Sequence, residues 1–231
     1  MQKITEKNSI YLSGGGDESQ SFPLDEYFFN KLPKGGHFLY IPVALRNTDL
    51  YPTVKHWMAK VIELHKRSDL SFETVDDLSR YNNIDTEKFD AIYIGGGNTW
   101  SLMCELKDSG FTDYLIQYLN AGGFVYGGSA GAIVLGNRID THDDENKINY
   151  KDMSGVCLIG NFSVACHFKD VQGERFKEWS EHNNLPIICL YEETGLVIEN
   201  GSALCVGTKP CVVYHPDGSR VEIKLEEFFK L

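Results

Sequence analysis

The feature that most constrains this chain is a recurrence. Four short apolar runs each stop abruptly at turn-forming residues. Ile10-Tyr11-Leu12 runs into Ser13-Gly14-Gly15-Gly16, and Phe38-Leu39-Tyr40-Ile41 stops at Pro42. Ala91-Ile92-Tyr93-Ile94 runs into Gly95-Gly96-Gly97, and Phe124-Val125-Tyr126 into Gly127-Gly128-Ser129. Unbroken runs of this length suit strands covered on both faces. Between them lie segments with helical spacing. Val54, Trp57, Met58, Val61 and Ile62 form one apolar stripe, and Phe111, Tyr114, Leu115, Tyr118 and Leu119 form another. Gly122-Gly123 supplies a left-handed C-cap for the second. Strands alternating with helices predict βαβ units and an α/β fold, a three-layer arrangement with a mostly parallel sheet flanked by helices.

The last part of the chain changes character. Asn200-Gly201, between Leu196-Val197-Ile198 and Ala203-Leu204-Cys205-Val206, predicts a hairpin with a type I′ turn. Pro216-Asp217-Gly218 predicts a second hairpin, and together they are expected to finish the sheet with antiparallel strands. The segment from Asp140 to Asp152 is polar and aperiodic and is expected to be a long loop. No repeat or Pro-rich linker divides the chain, so residues 1–231 read as one domain.

Charge narrows the function classes. The 231 residues carry 22 Lys and Arg against 33 Asp and Glu, a formal net charge of −11. Duplex nucleic acid and anionic membrane surfaces call for clustered cations, and no basic run occurs, so neither is an expected partner. The polar start, Met-Gln-Lys-Ile-Thr-Glu-Lys-Asn, has no apolar core of a secretory signal, and no window approaches eighteen apolar residues. The six cysteines form no Cys-x-x-Cys pair, which speaks against a metal site; free thiols in a reducing cytoplasm are the expectation, with no cofactor.

Chemistry concentrates at the glycine turns. Gly127-Gly128-Ser129-Ala130-Gly131 satisfies G-x-S-x-G between a predicted strand and a predicted helix over 130–135. A serine on such a turn is presented by strained backbone, and the free N–H groups of the following helix stabilise developing negative charge. Gly95-Gly96-Gly97-Asn98-Thr99 likewise follows a strand and opens a helix capped by Asn98 or Thr99, and lacks the endings of a phosphate loop. At the carboxyl ends of neighbouring strands the two loops can converge as an oxyanion hole. A serine also needs a base. His56 and His65 belong to a helix surface, His37 lies at the far edge and His182 in a helical stretch, which leaves His142, His167 and His215. The orienting acid is open between Glu192 or Glu193, at a strand end, and Asp143 or Asp144, in the polar loop.

Taken in order, Gly95 to Thr99, Gly128-Ser129-Ala130-Gly131-Ala132, His167-Phe168 and Glu192 in Tyr-Glu-Glu-Thr-Gly-Leu resemble the peptidase E (aspartyl dipeptidase) and cyanophycinase family. The resemblance runs from about residue 10 to residue 207, and its serine-to-histidine separation is the one expected. It implies a class I glutamine amidotransferase-like fold and a serine exopeptidase acting on a small peptide, as monomer or homodimer. It implies Ser129 as nucleophile, His167 as base, Glu192 as orienting acid with Asp144 as the alternative, and Gly97 and Ala130 as oxyanion donors. Asn98 and Arg175 become the substrate-contact candidates, Arg175 for an aspartyl carboxylate. The sequence Gly-Glu-Arg-Phe around Arg175, and Gly128 where dipeptidases of this family tend to carry tryptophan, depart from the aspartyl pattern. Two other readings remain: an α/β-hydrolase-type esterase using Glu192 and His215 in the order Ser, acid, His, and a silent family member that only binds.

Overall fold

The computed structural model describes residues 9–82 and 85–231, so the polar start, residues 1–8, lies outside the described residues. The first half lays down β1 (Ser9–Ser13), β2 (His37–Ile41), β3 (Ser71–Thr74), β4 (Ala91–Ile94) and β5 (Phe124–Gly128). They pair in parallel in the order β1-β5-β4-β2-β3. Then come β6 (Ser163–Ala165) and β7 (Ile187–Cys189), parallel neighbours in a second sheet. β8 (Thr194–Glu199) returns antiparallel onto β1, and β9 (Ser202–Gly207) follows it. β10 (Cys211–Tyr214) and β11 (Arg220–Ile223) form a hairpin on β7, and β12 (Phe228–Lys230) closes onto β9. Among the described residues, the main sheet thus has eight strands and the second has four.

Alternation along the strands decides the layers. Tyr11, Phe38, Tyr40, Ala91, Tyr93 and Tyr126 point to one face, where they pack with α1 (Phe22–Lys31) and α2 (Val54–Leu64). Ile10, Leu12, Leu39, Ile41, Ile92, Ile94 and Val125 point to the other, against α3 (Thr99–Asp108), α4 (Phe111–Asn120) and α5 (Ala130–Leu135). One face is therefore largely aromatic and the other aliphatic, as the period of two along a strand requires. Phe28 meets Tyr11, Tyr93 and Tyr126 edge-on at 5.2–5.8 Å, and Tyr93 stacks on Tyr126 at 4.1 Å. α5 is apolar on every side because it lies between the two sheets, and all six of its residues are buried. α6 (Gly173–Asn183) covers the outer face of the second sheet through Phe176.

The two C-terminal hairpins part company, which corrects the expectation that both finish one sheet. Asn200 and Gly201 adopt φ of 51° and 69°, the left-handed pair a type I′ turn requires, and β8–β9 extends the main sheet. The Pro216-Asp217-Gly218 hairpin instead joins β7, whose wholly buried Ile187-Ile188-Cys189 still has an edge to pair. The main-sheet edge that β9 leaves open is taken by β12. Among the described residues, no helix is long and apolar enough to cross a membrane.

Candidate active site

Ser129 stands between the end of β5 and the first residue of α5, with φ 50° and ψ −112°. Positive φ is uncommon for a residue with a side chain, and such strain persists only where neighbours hold it. Here its N–H donates to the Ser13 carbonyl at 3.1 Å, and its own carbonyl accepts from Ala132 at 2.8 Å and Ile133 at 3.0 Å. The N–H of Ala130 is among the first amides of α5, which have no partner within the helix.

Because β4 pairs with β5, the loop after β4 emerges beside this turn. A Cβ on Gly96 would stand only 3.2 Å from Ser129 Cβ. Gly97 has φ +134° and is pressed so closely on Ala44 that a Cβ would collide with the Ala44 carbonyl. Asn98 caps α3: its Oδ1 accepts from Ser101 N at 3.0 Å, and its Nδ2 donates to the Glu145 carbonyl at 3.0 Å. Both ends of that amide are engaged, so Asn98 is better placed to shape the loop than to hold a substrate.

His167 and Glu192 arrive from the second sheet. β6 and β7 run parallel with Ala165 opposite Cys189, so the residues just past each strand emerge at the same end. His167 Nε2 lies 2.7 Å from Ser129 Oγ, and His167 Nδ1 lies 2.9 Å from Glu192 Oε1. Gln20 Nε2 donates to Glu192 Oε2 at 3.0 Å. The hydrogen bond from His167, then that from Gln20, holds the Glu192 carboxyl below its ordinary range. An ionised Glu192 accepts a hydrogen bond from Nδ1–H, which keeps the proton on Nδ1 and leaves Nε2 free to accept from the serine.

The other candidates are bound to other partners. Asp144 accepts from the N–H of Thr99 at 2.7 Å and its hydroxyl at 2.8 Å, at the start of α3. His142 Nδ1 accepts from the Asp144 N–H at 2.9 Å, and burial lowers its pKa. His215 belongs to the β10–β11 turn, where its backbone bonds to Ser219 and Gly218. His65, expected on a helix surface, is half-buried with its ring stacked on Phe22 at 4.3 Å. The cysteines carry no disulfide: Cys189, Cys205 and Cys211 are buried, while Cys157 is exposed. Among the described residues, no group of three or more His, Cys, Asp or Glu could hold a metal ion.

Two cavities open on Ser129 and His167. One, of about 400 Å³, lies over the aromatic face of the main sheet. The other, of about 330 Å³, is polar, with Thr99, His142, Asp143, Asp144, Gln172 and Arg175 in its walls. Arg175 thus lines the same cavity as the serine, with its guanidinium bound to Asp143 at 2.7 Å. The sequence reading leaves two contributors without a role. The Ser13–Gly16 loop braces both halves of the site, Ser13 through the Ser129 amide and Gly14 by accepting from His167 N–H at 2.9 Å. Gly15, with φ +105°, lies so near the imidazole that a Cβ would collide with the ring. The signal was the third glycine run itself. Gln20 carries no comparable signal.

The comparisons agree with this architecture. The model of peptidase family S51 matches residues 9–206. The chain is 32% identical over 230 residues to a peptidase E of Actinobacillus pleuropneumoniae serotype 5b, covering 90% of this chain and 92% of that one. It is 24% identical over 201 residues to a probable alpha-aspartyl dipeptidase of Drosophila melanogaster, covering 80% and 78%. In fold it is similar to the crystal structure of a peptidase from an acI-B1 Actinobacterium, with a TM-score of 0.72, 18% identity and 99% of each chain covered. A putative peptidase E from Listeria monocytogenes EGD-e superposes with a TM-score of 0.67 at 20% identity, covering 87% of this chain and 99% of that one. With the match running from β1 into β9 and through every element that carries the serine, histidine and glutamate, the chain belongs to peptidase family S51 and is a serine peptidase.

Proposed function

We propose that the chain is a dipeptidase-like serine exopeptidase that cleaves through Ser129, His167 and Glu192. The observation that carries this reading is the unbroken relay of 2.7 Å and 2.9 Å hydrogen bonds from Ser129 Oγ through the imidazole to Glu192. As Oγ attacks the peptide carbonyl carbon, its proton passes to His167 Nε2. The N–H groups of Gly97 and Ala130 hold the resulting oxyanion. The protonated imidazole then gives its proton to the leaving amine, and an acyl ester remains on Ser129. Water, deprotonated by His167, hydrolyses that ester. Glu192 keeps the imidazole in the productive tautomer throughout. Cavities of a few hundred Å³ on either side fit single side chains, in keeping with a short substrate.

An aspartyl residue is the substrate side chain that Arg175 would recognise. Its partner Asp143 is 73% exposed, and such a surface pair is weak, so a substrate carboxylate can replace Asp143 at little cost. Ser129→Ala is expected to lower kcat/KM by roughly 10³–10⁶-fold while leaving the fold intact. The check is a panel of Asp-X and other dipeptides, run alongside labelling of the wild-type serine by a small fluorophosphonate. Equal hydrolysis by the variant would sink the assignment of the nucleophile.

A further inference from the structure

We infer that the cavity over the aromatic face is a specificity pocket for an uncharged apolar side chain, aromatic or branched aliphatic, on one side of the scissile bond. The inference rests on the peptidase reading and adds a substrate class to it. Three strands build one wall, with Tyr40 from β2, Tyr93 from β4 and Tyr126 from β5. Leu45, Val54 and Trp57 build the other. Among the described residues, no Asp, Glu, Lys or Arg lines the cavity, and His167 at its mouth belongs to the relay. Burial pushes the phenols of Tyr40, Tyr93 and Tyr126 upward, so these rings stay neutral across the physiological range, and the carboxyl of Asp25 lies behind Ser21 and Tyr126 and does not line the cavity. Gly128 contributes space: a Cβ there would find only ordinary contacts, 3.6 Å to the Tyr126 ring and 4.0 Å to the Tyr93 hydroxyl.

This chemistry selects against charge. A carboxylate or ammonium seated among these rings would give up its hydration and gain no ion-pair partner. An apolar side chain gains by leaving water and can offset-stack or meet ring edges on Trp57 and the tyrosines. The two cavities then divide the labour, with the polar one around Arg175 taking a charged or polar residue and the aromatic one its apolar neighbour.

The experiment measures kcat/KM on two dipeptide series, X-Ala and Ala-X, with X as Phe, Leu, Asp and Lys. At one of the two positions Phe and Leu are expected to exceed Asp and Lys by roughly tenfold or more. Thr53→Trp, which fills the pocket from its exposed rim, is expected to abolish that preference while labelling of Ser129 by a small fluorophosphonate continues at the wild-type rate. Trp57→Ala is expected to flatten it as well. Occupancy is also read without turnover, by titrating Ser129→Ala protein with Phe-Ala and Ala-Phe and following Trp57 fluorescence against the same protein carrying Trp57→Ala. If no dipeptide is cleaved but the Phe dipeptides still bind and Thr53→Trp blocks them, the dipeptidase reading fails and the pocket stands. If dipeptides are cleaved with equal or greater preference for Asp or Lys at both positions, the pocket reading is overturned and the peptidase reading stands.

Discussion

Ser129 and His167 meet across 2.7 Å, yet they come from different sheets and are held by different means. The serine half is made of backbone. Its turn is strained, its helix is wholly buried between two sheets, and the neighbouring Gly96-Gly97 loop leaves no room for a side chain. The histidine half is made of side chains that reach solvent: His167 is 47% exposed and Glu192 40%. Preorganised donors aimed at developing charge need rigidity, and buried backbone supplies it. A proton carrier needs orientation in one tautomer, and a carboxylate on its far nitrogen supplies that. The Ser13–Gly16 loop joins the halves by bonding to the backbone of both.

The comparison breaks most sharply at Glu192. Glu192→Gln keeps the shape and removes the charge that fixes Nδ1–H, so kcat is expected to fall by roughly 10²–10⁴-fold with Tm little changed. Asp144→Asn should behave in the opposite way. It weakens the carboxylate that accepts two hydrogen bonds from Thr99 at the start of α3, so stability falls by about 1 kcal/mol while kcat moves far less. Steady-state kinetics and thermal melts on the two variants decide the matter. If Asp144→Asn lost as much kcat as Glu192→Gln, the orienting role would pass to the polar loop.

The same division explains what the sequence makes visible. Backbone geometry demands particular residues, so Gly95-Gly96-Gly97 and Gly127-Gly128-Ser129 announce the serine half without any knowledge of tertiary structure. The parallel strands are equally legible, because both faces of each must be apolar. His167 and Glu192 are legible only as strand-end residues among several rivals. Their meeting depends on Ala165 pairing with Cys189, a register between strands separated by the whole of α6. Only the ordered resemblance to a family joins them in advance. The destination of the second hairpin escapes for the same reason: Val212-Val213-Tyr214 is as good a strand for either sheet, and the free edge of β7 decides. α1 remains unassigned in the sequence reading, although Pro23 in its first turn and the buried Leu24, Phe28 and Phe29 mark it as an amphipathic helix.

If the serine half owes its precision to backbone packing, it should fail by unfolding as well as by slow chemistry. Gly97→Ala places a side chain at φ +134° and drives it into the Ala44 carbonyl, which is backbone and cannot swing away. The expected cost is roughly 3 kcal/mol or more, with a parallel loss of kcat as the proposed oxyanion donor moves. Urea melts together with kcat measure both. A variant as stable as the wild type and fully active would show that the loop adapts, and that the contrast between the halves is smaller than drawn.

The last contrast separates the halves by pH. Beneath the serine half, Asp25 of α1 is fully buried, with Ser21 Oγ 2.7 Å from one oxygen and no hydrogen bond to the other. Desolvation is the dominant influence and lifts its pKa from 3.8 to about 6, against smaller lowering contributions from Tyr126 and Ser21. In the unfolded chain the carboxyl ionises near 3.8, so between about pH 4 and pH 6 the folded state binds the extra proton. Stability contributed by this group is therefore full below pH 4 and is lost as pH rises through 6. Asp25→Asn removes the titration, so the variant should lack this decline, worth roughly 3 kcal/mol, while the pH dependence of kcat keeps its shape. Urea melts at pH 4, 5, 6 and 7 on both proteins read the stability, and the kinetic profile is measured alongside. A kcat profile that shifted with Asp25 would mean that the buried aromatic layer and the exposed imidazole are electrostatically coupled, and the two halves would no longer be separable.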